Sequence, residues 1–242
     1  MSARRGPGWV PNQHGAWAMI ASPLLVGIIA GGPSWAHVPL TAFWFLGYFA
    51  FFAVSLWLKA GRRAKWLPAA RTYVVASMVM GGVVLFTKPD LIRWAPAFIA
   101  PLGIGLWAAS ARRERDLLAG LATVAGACLM TPVAYDVGAG HVDQRAWALA
   151  LVQFLYFAGT VFYVKSAIRE RGNQAFLWIS VGFHVLATLI SALIAWPLVG
   201  VFGLLAVRAA ALPGLGWTPK RLGMLEIPAT VLVAGISLLC VA

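Results

Sequence analysis

The first side chains that could do chemistry lie near the N-terminus, at the start of a long apolar run. Asn12, Gln13 and His14 stand side by side there, directly after Pro11. An imidazole beside two amides could carry a proton or contact an anion. Helix capping is the simpler interpretation, because Asn12 can accept a hydrogen bond from the first turn and Pro11 suits a helix N-terminus. Both interpretations stay open.

Two further apolar runs carry polar side chains at helical spacing. Three- and four-residue offsets place one set on a single helical face: Gln153, Tyr156, Thr160 and Tyr163. The next run has the same pattern in Ser180, His184, Thr188 and Ser191. Since a polar stripe facing lipid is costly, we expect both faces to point into a helical bundle, with His184 and Tyr163 buried. Ser and Thr also serve ordinary packing between membrane helices.

Opposite charges lie inside apolar runs near the C-terminus. Glu226 is the only acid that we place well inside a membrane span, and Arg208 lies inside the preceding run. An ion pair between them would neutralise both charges, and we favour this structural pairing over catalysis.

These motifs together predict a polar site for an anionic ligand or a proton at the cytoplasmic end of the bundle. Packing alone would not bring amide, imidazole, cationic and anionic groups from distant segments to one depth. The predicted members are Asn12, Gln13, His14, Tyr163, Lys165, Arg169, Glu170, His184, Arg208 and Glu226. If the site exists, His14 should lie near Arg169 or Glu226.

A short basic loop follows the second apolar run. Arg62, Arg63 and Lys65 suit attraction to anionic lipid headgroups, which membrane topology alone would also produce. Arginine forks could equally bind a phosphate or carboxylate. No cluster of carboxylates or of Cys and His has the spacing of metal ligands, so we predict no metal site and no cofactor.

Composition decides the class of protein that must position these residues. The chain has 242 residues, of which 61% are hydrophobic and 11% charged, and its mean hydropathy is +0.83. Soluble domains are about 45–50% apolar and about 25% charged. A soluble enzyme, a disordered chain and a disulfide scaffold are therefore excluded. The net charge of +12 does not indicate nucleic acid, because the basic residues lie in short loops between apolar runs.

The apolar runs predict an all-α, polytopic transmembrane bundle that forms a single domain over 1–242. Spans of membrane length lie near 14–32, 39–58, 73–88, 92–110, 117–135, 146–165, 175–196, 197–213 and 223–241. A kink rather than a turn at Trp196-Pro197 would give eight spans. With nine, fifteen of the 19 Lys and Arg residues lie on the side of the N-terminus and three on the other. This bias predicts a cytoplasmic N-terminus.

Three segments resemble the YwiC-like family of bacterial membrane proteins. They are Trp9–Met19, Tyr163–Arg171 and Pro219–Glu226, and the resemblance extends over nearly the whole chain. The resemblance implies a multi-pass protein of the bacterial plasma membrane, and it implies no particular activity.

The layout is also similar to that of UbiA-type intramembrane prenyltransferases. Those have nine helices and Asp-rich motifs on the loops after spans two and six, which hold magnesium and a prenyl diphosphate. Here the corresponding segments, 59–71 and 165–173, are basic, with Glu170 their only acid. The resemblance therefore covers the layout and not the motifs.

Three functions follow from these features. An accessory or assembly role ranks first, a transporter for a small anionic or proton-coupled solute second, and a lipid-modifying enzyme of degenerate UbiA-like layout third. The expected partners are the bilayer, anionic headgroups on the cytoplasmic side and a small anionic ligand, without nucleic acid. A continuous path through the bundle would favour transport. A lateral opening lined by basic residues would favour an enzyme, and a filled core would favour an accessory role.

Overall fold

The computed structural model describes residues 8–11 and 14–241, with the backbone alone described at His14. Every regular element among these residues is helical. The helices are α1 (His14–Gly31), α2 (His37–Lys59), α3 (Leu67–Thr87), α4 (Ala95–Ser110), α5 (Leu117–Cys128), α6 (Met130–Ala139), α7 (Gln144–Ile168), α8 (Gln174–Ile194), α9 (Trp196–Ala211) and α10 (Pro219–Cys240). Short 3-10 turns at Ala64–Trp66, Pro89–Trp94 and Leu212–Leu215 precede or follow them.

The helices confirm the predicted all-α polytopic bundle. Eight helical segments of the described chain are long and apolar enough to cross a membrane, and Gly15–Gly31 is a shorter apolar helix. The alternative of one kinked helix at Trp196-Pro197 is wrong, because Ala195 is extended (φ −161°, ψ 128°) and α8 and α9 pack against each other. Pro197 lies in the first turn of α9, where a missing N–H group costs nothing.

The fifth span is longer than hydropathy predicts and is broken in the middle. Helix α5 ends at Cys128, and α6 continues to Ala139. Pro132 has no N–H to donate to the Cys128 carbonyl, which accounts for the break. The extension brings Asp136 inside a span, where it is buried. The predicted fifth span excludes Asp136 because the apolar run stops before it, but the helix does not stop there.

Helix α1 lies unusually close to α6. A Cβ atom placed on Gly27 would meet the Thr131 carbonyl oxygen and lie 2.8 Å from the Ala134 Cβ. A Cβ on Gly31 would lie 2.7 Å from the Tyr135 Cα. The two glycines are four residues apart, the spacing at which small residues let membrane helices approach backbone to backbone. Helix α1 also packs on α5, α7 and α10, so it joins several helices of the bundle, while Leu25 and Ile29 stay exposed.

The basic loops gather at one end of the bundle, which we call the basic end. Lys59 forms a 3.0 Å salt bridge with Glu114. Arg169 donates to the Arg115 carbonyl at 3.3 Å, and Arg171 donates to the Trp217 carbonyl at 3.3 Å. These contacts join the loops 60–66, 111–116, 169–173 and 212–218. The other turns lie at what we call the opposite end.

Candidate functional site

An ion pair between α9 and α10 forms the centre of the candidate site. Nη1 of Arg208 donates to Oε1 of Glu226, as the sequence predicted. Only 9% of each side chain is exposed. Bulk water has little access to either charged group, so each charge is stabilised by the other and by nearby hydrogen bonds.

Hydroxyl groups of α7 complete the surroundings of Glu226. Thr160 donates to Oε2 at 2.9 Å, and Tyr156 donates to the same oxygen at 3.0 Å. The Tyr156 hydroxyl also lies 2.9 Å from Oγ1 of Thr230, which donates to the Glu226 backbone carbonyl at 2.7 Å. Two members of the polar stripe predicted on this helix, Tyr156 and Thr160, therefore contact the carboxylate.

Arg208 is only partly satisfied by protein groups. Its Nε and Nη2 atoms are buried and have no hydrogen-bond partner in the described part of the chain. Its guanidinium carbon lies 4.4 Å from the centre of the Tyr163 ring, a cation–π contact on the flat face. Nε and Nη2 form one edge of the guanidinium and donate in parallel, which is the geometry that binds a carboxylate or phosphate by two hydrogen bonds.

His184 lies beside this cluster on α8. Its Nδ1 is 2.7 Å from the Ser180 carbonyl, and its buried Nε2 has no partner among the described residues. Nε2 lies against Gly159 of α7, where an added Cβ would be 3.0 Å away. The prediction that His184 and Tyr163 are buried in the bundle is confirmed.

Other polar groups with incomplete hydrogen bonding line the same interior. The Tyr163 hydroxyl, the Ser180 Oγ and the Gln153 Nε2 are buried and have no partner within 8–11 and 14–241. The Gln153 Oε1 accepts from Ser22 of α1 at 2.8 Å. Buried groups of this kind can be satisfied by ordered water or by a polar ligand.

Three predicted members of the site lie elsewhere. Lys165 stands over the Phe176 ring, with its Nζ 5.5 Å from the ring centre. Arg169 is exposed, and Glu170 accepts from the Asn173 side chain at 3.0 Å. These side chains lie at the surface of the basic end, whereas the Arg208–Glu226 pair lies within the bundle. They occupy the last residues of α7 and the turn beyond, and the expectation that they share a depth with the ion pair stays a prediction.

The predicted N-terminal members cannot be compared in the same way. Asn12 and Gln13 lie outside the described residues, and so does the side chain of His14. The expected approach of His14 to Arg169 or Glu226 stays a prediction.

The cations of the first basic loop are exposed. Arg62 lies 5.9 Å from the centre of the Trp57 ring, and Lys65 lies 5.7 Å from that of Trp66. Neither they nor Arg63 forms a salt bridge within the described chain. Such cations beside tryptophans suit the headgroup layer, and their role as a lipid contact stays a prediction.

Sequence reasoning missed a second buried carboxylate, at the opposite end. Nη2 of Arg93 donates to both oxygens of Asp136 at 2.6 Å, and Nε1 of Trp94 donates to Oδ2 at 2.8 Å. The Asp136 side chain is 5% exposed. Arg93 could have indicated this carboxylate in the sequence, because an arginine on the less basic side of the membrane suggests an acidic partner nearby.

Comparison with known proteins supplies the family. The YwiC-like protein family matches residues 10–135. A Bacillus subtilis protein described as "Uncharacterized protein YwiC" is 37% identical over 221 residues, which cover 90% of this chain and 92% of the relative. A Haemophilus influenzae protein described as uncharacterized is 28% identical over 224 residues, 91% of this chain and 93% of the relative. No solved structure matches. The chain thus belongs to the YwiC-like family, as its three motifs indicated.

Proposed function

We propose that this protein binds a small anion at Arg208, within the bacterial plasma membrane, and carries it across. The observation that supports this most directly is the buried Nε–Nη2 edge of Arg208, to which no described residue offers a hydrogen-bond acceptor. A carboxylate or a phosphate presents two oxygens at the spacing of that edge. We therefore take a small carboxylate or phosphate as the class of ligand.

The surroundings of the guanidinium favour an anion over water alone. Burial strengthens the attraction between Arg208 and a second anion, because fewer solvent dipoles screen the charges. Charge-assisted hydrogen bonds contribute about 1.5–3 kcal/mol each. The Tyr163 ring holds the guanidinium plane on one side, and Glu226 fixes its Nη1 corner. The free edge is thereby held in one orientation before a ligand arrives.

Access is shorter from the basic end. Glu226 is seven residues from the start of α10, so it lies about 10 Å along the helix from that end. Arg208 is three residues from the end of α9. The basic loops would raise the local concentration of anions at this entrance. By the positive-inside rule the basic end is cytoplasmic, with Arg62, Arg63 and Lys65 contacting anionic headgroups.

An accessory role without transport is the second candidate. Between the polar site and the opposite end the interior is filled by apolar side chains, among them Leu149, Val152, Leu198, Phe202 and Val233. This apolar layer would have to open for an anion to pass. A protein that only binds the anion and signals its presence to a partner would not need that opening.

Binding to a matched pair of variants tests the proposal. Purified full-length protein is titrated with acetate, lactate, benzoate, nitrate and phosphate, and its melting temperature and heat of binding are followed. Arg208→Lys keeps a cation beside Glu226 but removes the parallel Nε–Nη2 donors. We expect at least one carboxylate or phosphate to bind the wild type, and Arg208→Lys to bind it at least tenfold more weakly.

A surface variant and a transport assay complete the design. Arg169→Lys alters an exposed arginine at the basic end and should bind like the wild type. Equal binding by wild type and Arg208→Lys would refute the site. Uptake of the bound anion into proteoliposomes supports a carrier, and binding without uptake supports the accessory role. Lipid phosphate as the true ligand would appear as phosphatidylglycerol that purifies with the wild type and not with Arg208→Lys.

A further inference from the structure

We infer that each monovalent anion bound at Arg208 enters with one proton, which Glu226 takes up. This inference rests on the proposed function and specifies how the site balances its charge. The pair now holds one positive and one negative group, both about nine-tenths buried. A monovalent anion without a proton would leave a net negative charge in the membrane interior, which is costly.

The charge balance of the step is complete when the proton is included. Before binding, the Arg208 cation and the Glu226 carboxylate sum to zero. Afterwards the cation, a neutral Glu226 carboxylic acid and the bound anion again sum to zero. The proton comes from water at the basic end, forms an O–H bond on a carboxyl oxygen of Glu226, and returns to water when the anion leaves. No other bond forms or breaks.

The hydroxyl groups around Glu226 can accommodate both of its protonation states. Toward the carboxylate, Thr160 and Tyr156 act as donors to Oε2. A hydroxyl oxygen can also accept, so either group could receive a bond from the protonated acid. The Tyr156 hydroxyl has a second partner 2.9 Å away in Thr230 Oγ1, and either atom of that pair could be the donor. Tyr156 can thus turn its proton to Thr230 and accept from Glu226 without any movement of the backbone.

Release of Arg208 is the second consequence of protonation. The carboxylate of Glu226 holds the guanidinium by one nitrogen only. Once Glu226 is neutral, the charge attraction in that contact is lost and the incoming anion becomes the only counter-charge. The anion on the Nε–Nη2 edge therefore replaces Glu226 as the counter-charge of Arg208, although the two groups contact different nitrogen atoms.

The other titratable groups near Glu226 fit this role less well. From α7 come Tyr156 and Tyr163, and from α9 comes Arg208 itself. Helix α1, which also packs on α10, has no titratable side chain between residues 15 and 31. His184 on α8 is the remaining group, but it contacts Gly159 rather than the ion pair. The carboxylate in direct contact with Arg208 is the group whose charge the anion replaces.

The experiment counts protons during anion binding. The tightest-binding monovalent carboxylate of the panel is titrated into purified full-length protein, in two buffers that differ in protonation enthalpy. We expect the wild type to take up about one proton per anion, and its affinity to fall by up to about tenfold per pH unit wherever Glu226 is ionised in the unliganded protein. Glu226→Gln already mimics the neutral acid, so it should bind the anion with little proton uptake and little pH dependence.

Control variants separate this inference from the proposed function. Glu114→Gln removes a surface carboxylate of the basic end and should keep the wild-type proton count. If the wild type binds the anion without proton uptake, the coupling is refuted while the binding site stands. Proton uptake that persists in Glu226→Gln and disappears in His184→Gln would assign the proton to the histidine and refute the inference. If no anion binds, both proposals fail.

A measurement that does not need Glu226→Gln covers the case in which that variant does not fold. Infrared difference spectra are recorded with and without the same anion. A new C=O band of a protonated carboxyl group, present also in Glu114→Gln, supports the inference. Spectra that show the bound anion but no such band overturn it.

Discussion

The close approach of α1 and α6 allows one prediction to be worked out in detail. In Gly27→Ala the new Cβ would lie 2.8 Å from the Ala134 Cβ and would press on the Thr131 carbonyl. Carbon atoms pack best at about 3.5–4.0 Å, so the two helices must separate by about 1 Å. Overpacking of this kind costs about 1–3 kcal/mol.

The expected shift in melting temperature follows from that cost. For a chain of this size, each kcal/mol corresponds to about 2–4 °C. Gly27→Ala should therefore melt about 2–12 °C below the wild type. Unfolding of the purified protein in detergent can be followed by a thiol-reactive dye, because Cys128 is buried in the folded state.

A matched glycine provides the control. Gly47 lies inside α2, and nothing surrounds the position of its missing Cβ within 4 Å. Gly47→Ala should raise stability, because alanine favours a helix by about 0.5–1 kcal/mol relative to glycine. If Gly27→Ala melts at or above the temperature of Gly47→Ala, the backbone contact between α1 and α6 does not carry the stability that we assign to it.

Two further predictions concern the opposite end and the orientation. Hydrogen bonds from the Ala146 N–H and the Tyr135 hydroxyl lower the pKa of Asp143, at the start of α7, below its usual 3.8. Its ionised form therefore stabilises the fold at pH values above 3.8, and this contribution is lost as the pH falls through the lower pKa of the folded protein. Asp143→Asn can still cap the helix but does not titrate, so it should flatten the acid side of a plot of melting temperature against pH. An unchanged plot would contradict this. In a Cys240→Ser background, a cysteine at His141 should react with an impermeant thiol reagent outside intact cells and one at Ala64 should not; the reverse pattern would invert the orientation.

Much of the fold could be predicted because the membrane restricts it strongly. Hydropathy identified the spans, and the cost of a lone buried charge was enough to pair Arg208 with Glu226. Helical spacing correctly predicted that the side chains of Tyr163 and His184 are buried in the bundle. Each of these inferences needs only one helix or one charge at a time.

The features that were missed depend on which helices meet. Asp136 falls past the end of an apolar run, and its partners Arg93 and Trp94 come from a distant segment of the chain. Gly27 and Gly31 look ordinary until α6 is placed against them. Lys165, Arg169 and Glu170 lie at the end of α7 and in the turn beyond, and spacing along the chain does not tell whether their side chains contact the buried pair.

The position of α1 has a consequence for biosynthesis. Its partners α5, α6, α7 and α10 begin about a hundred or more residues later in the chain, whereas α2, which follows directly, contacts Trp17 and the Ile20 carbonyl of α1. When α1 leaves the translocon, the glycine face and Ser22 have no helix to pack against, because α6 and Gln153 have not yet been made. This glycine face must therefore wait in lipid or beside an insertion factor until α6 is made. A nascent chain released before α7 is complete would expose that face to quality-control proteases.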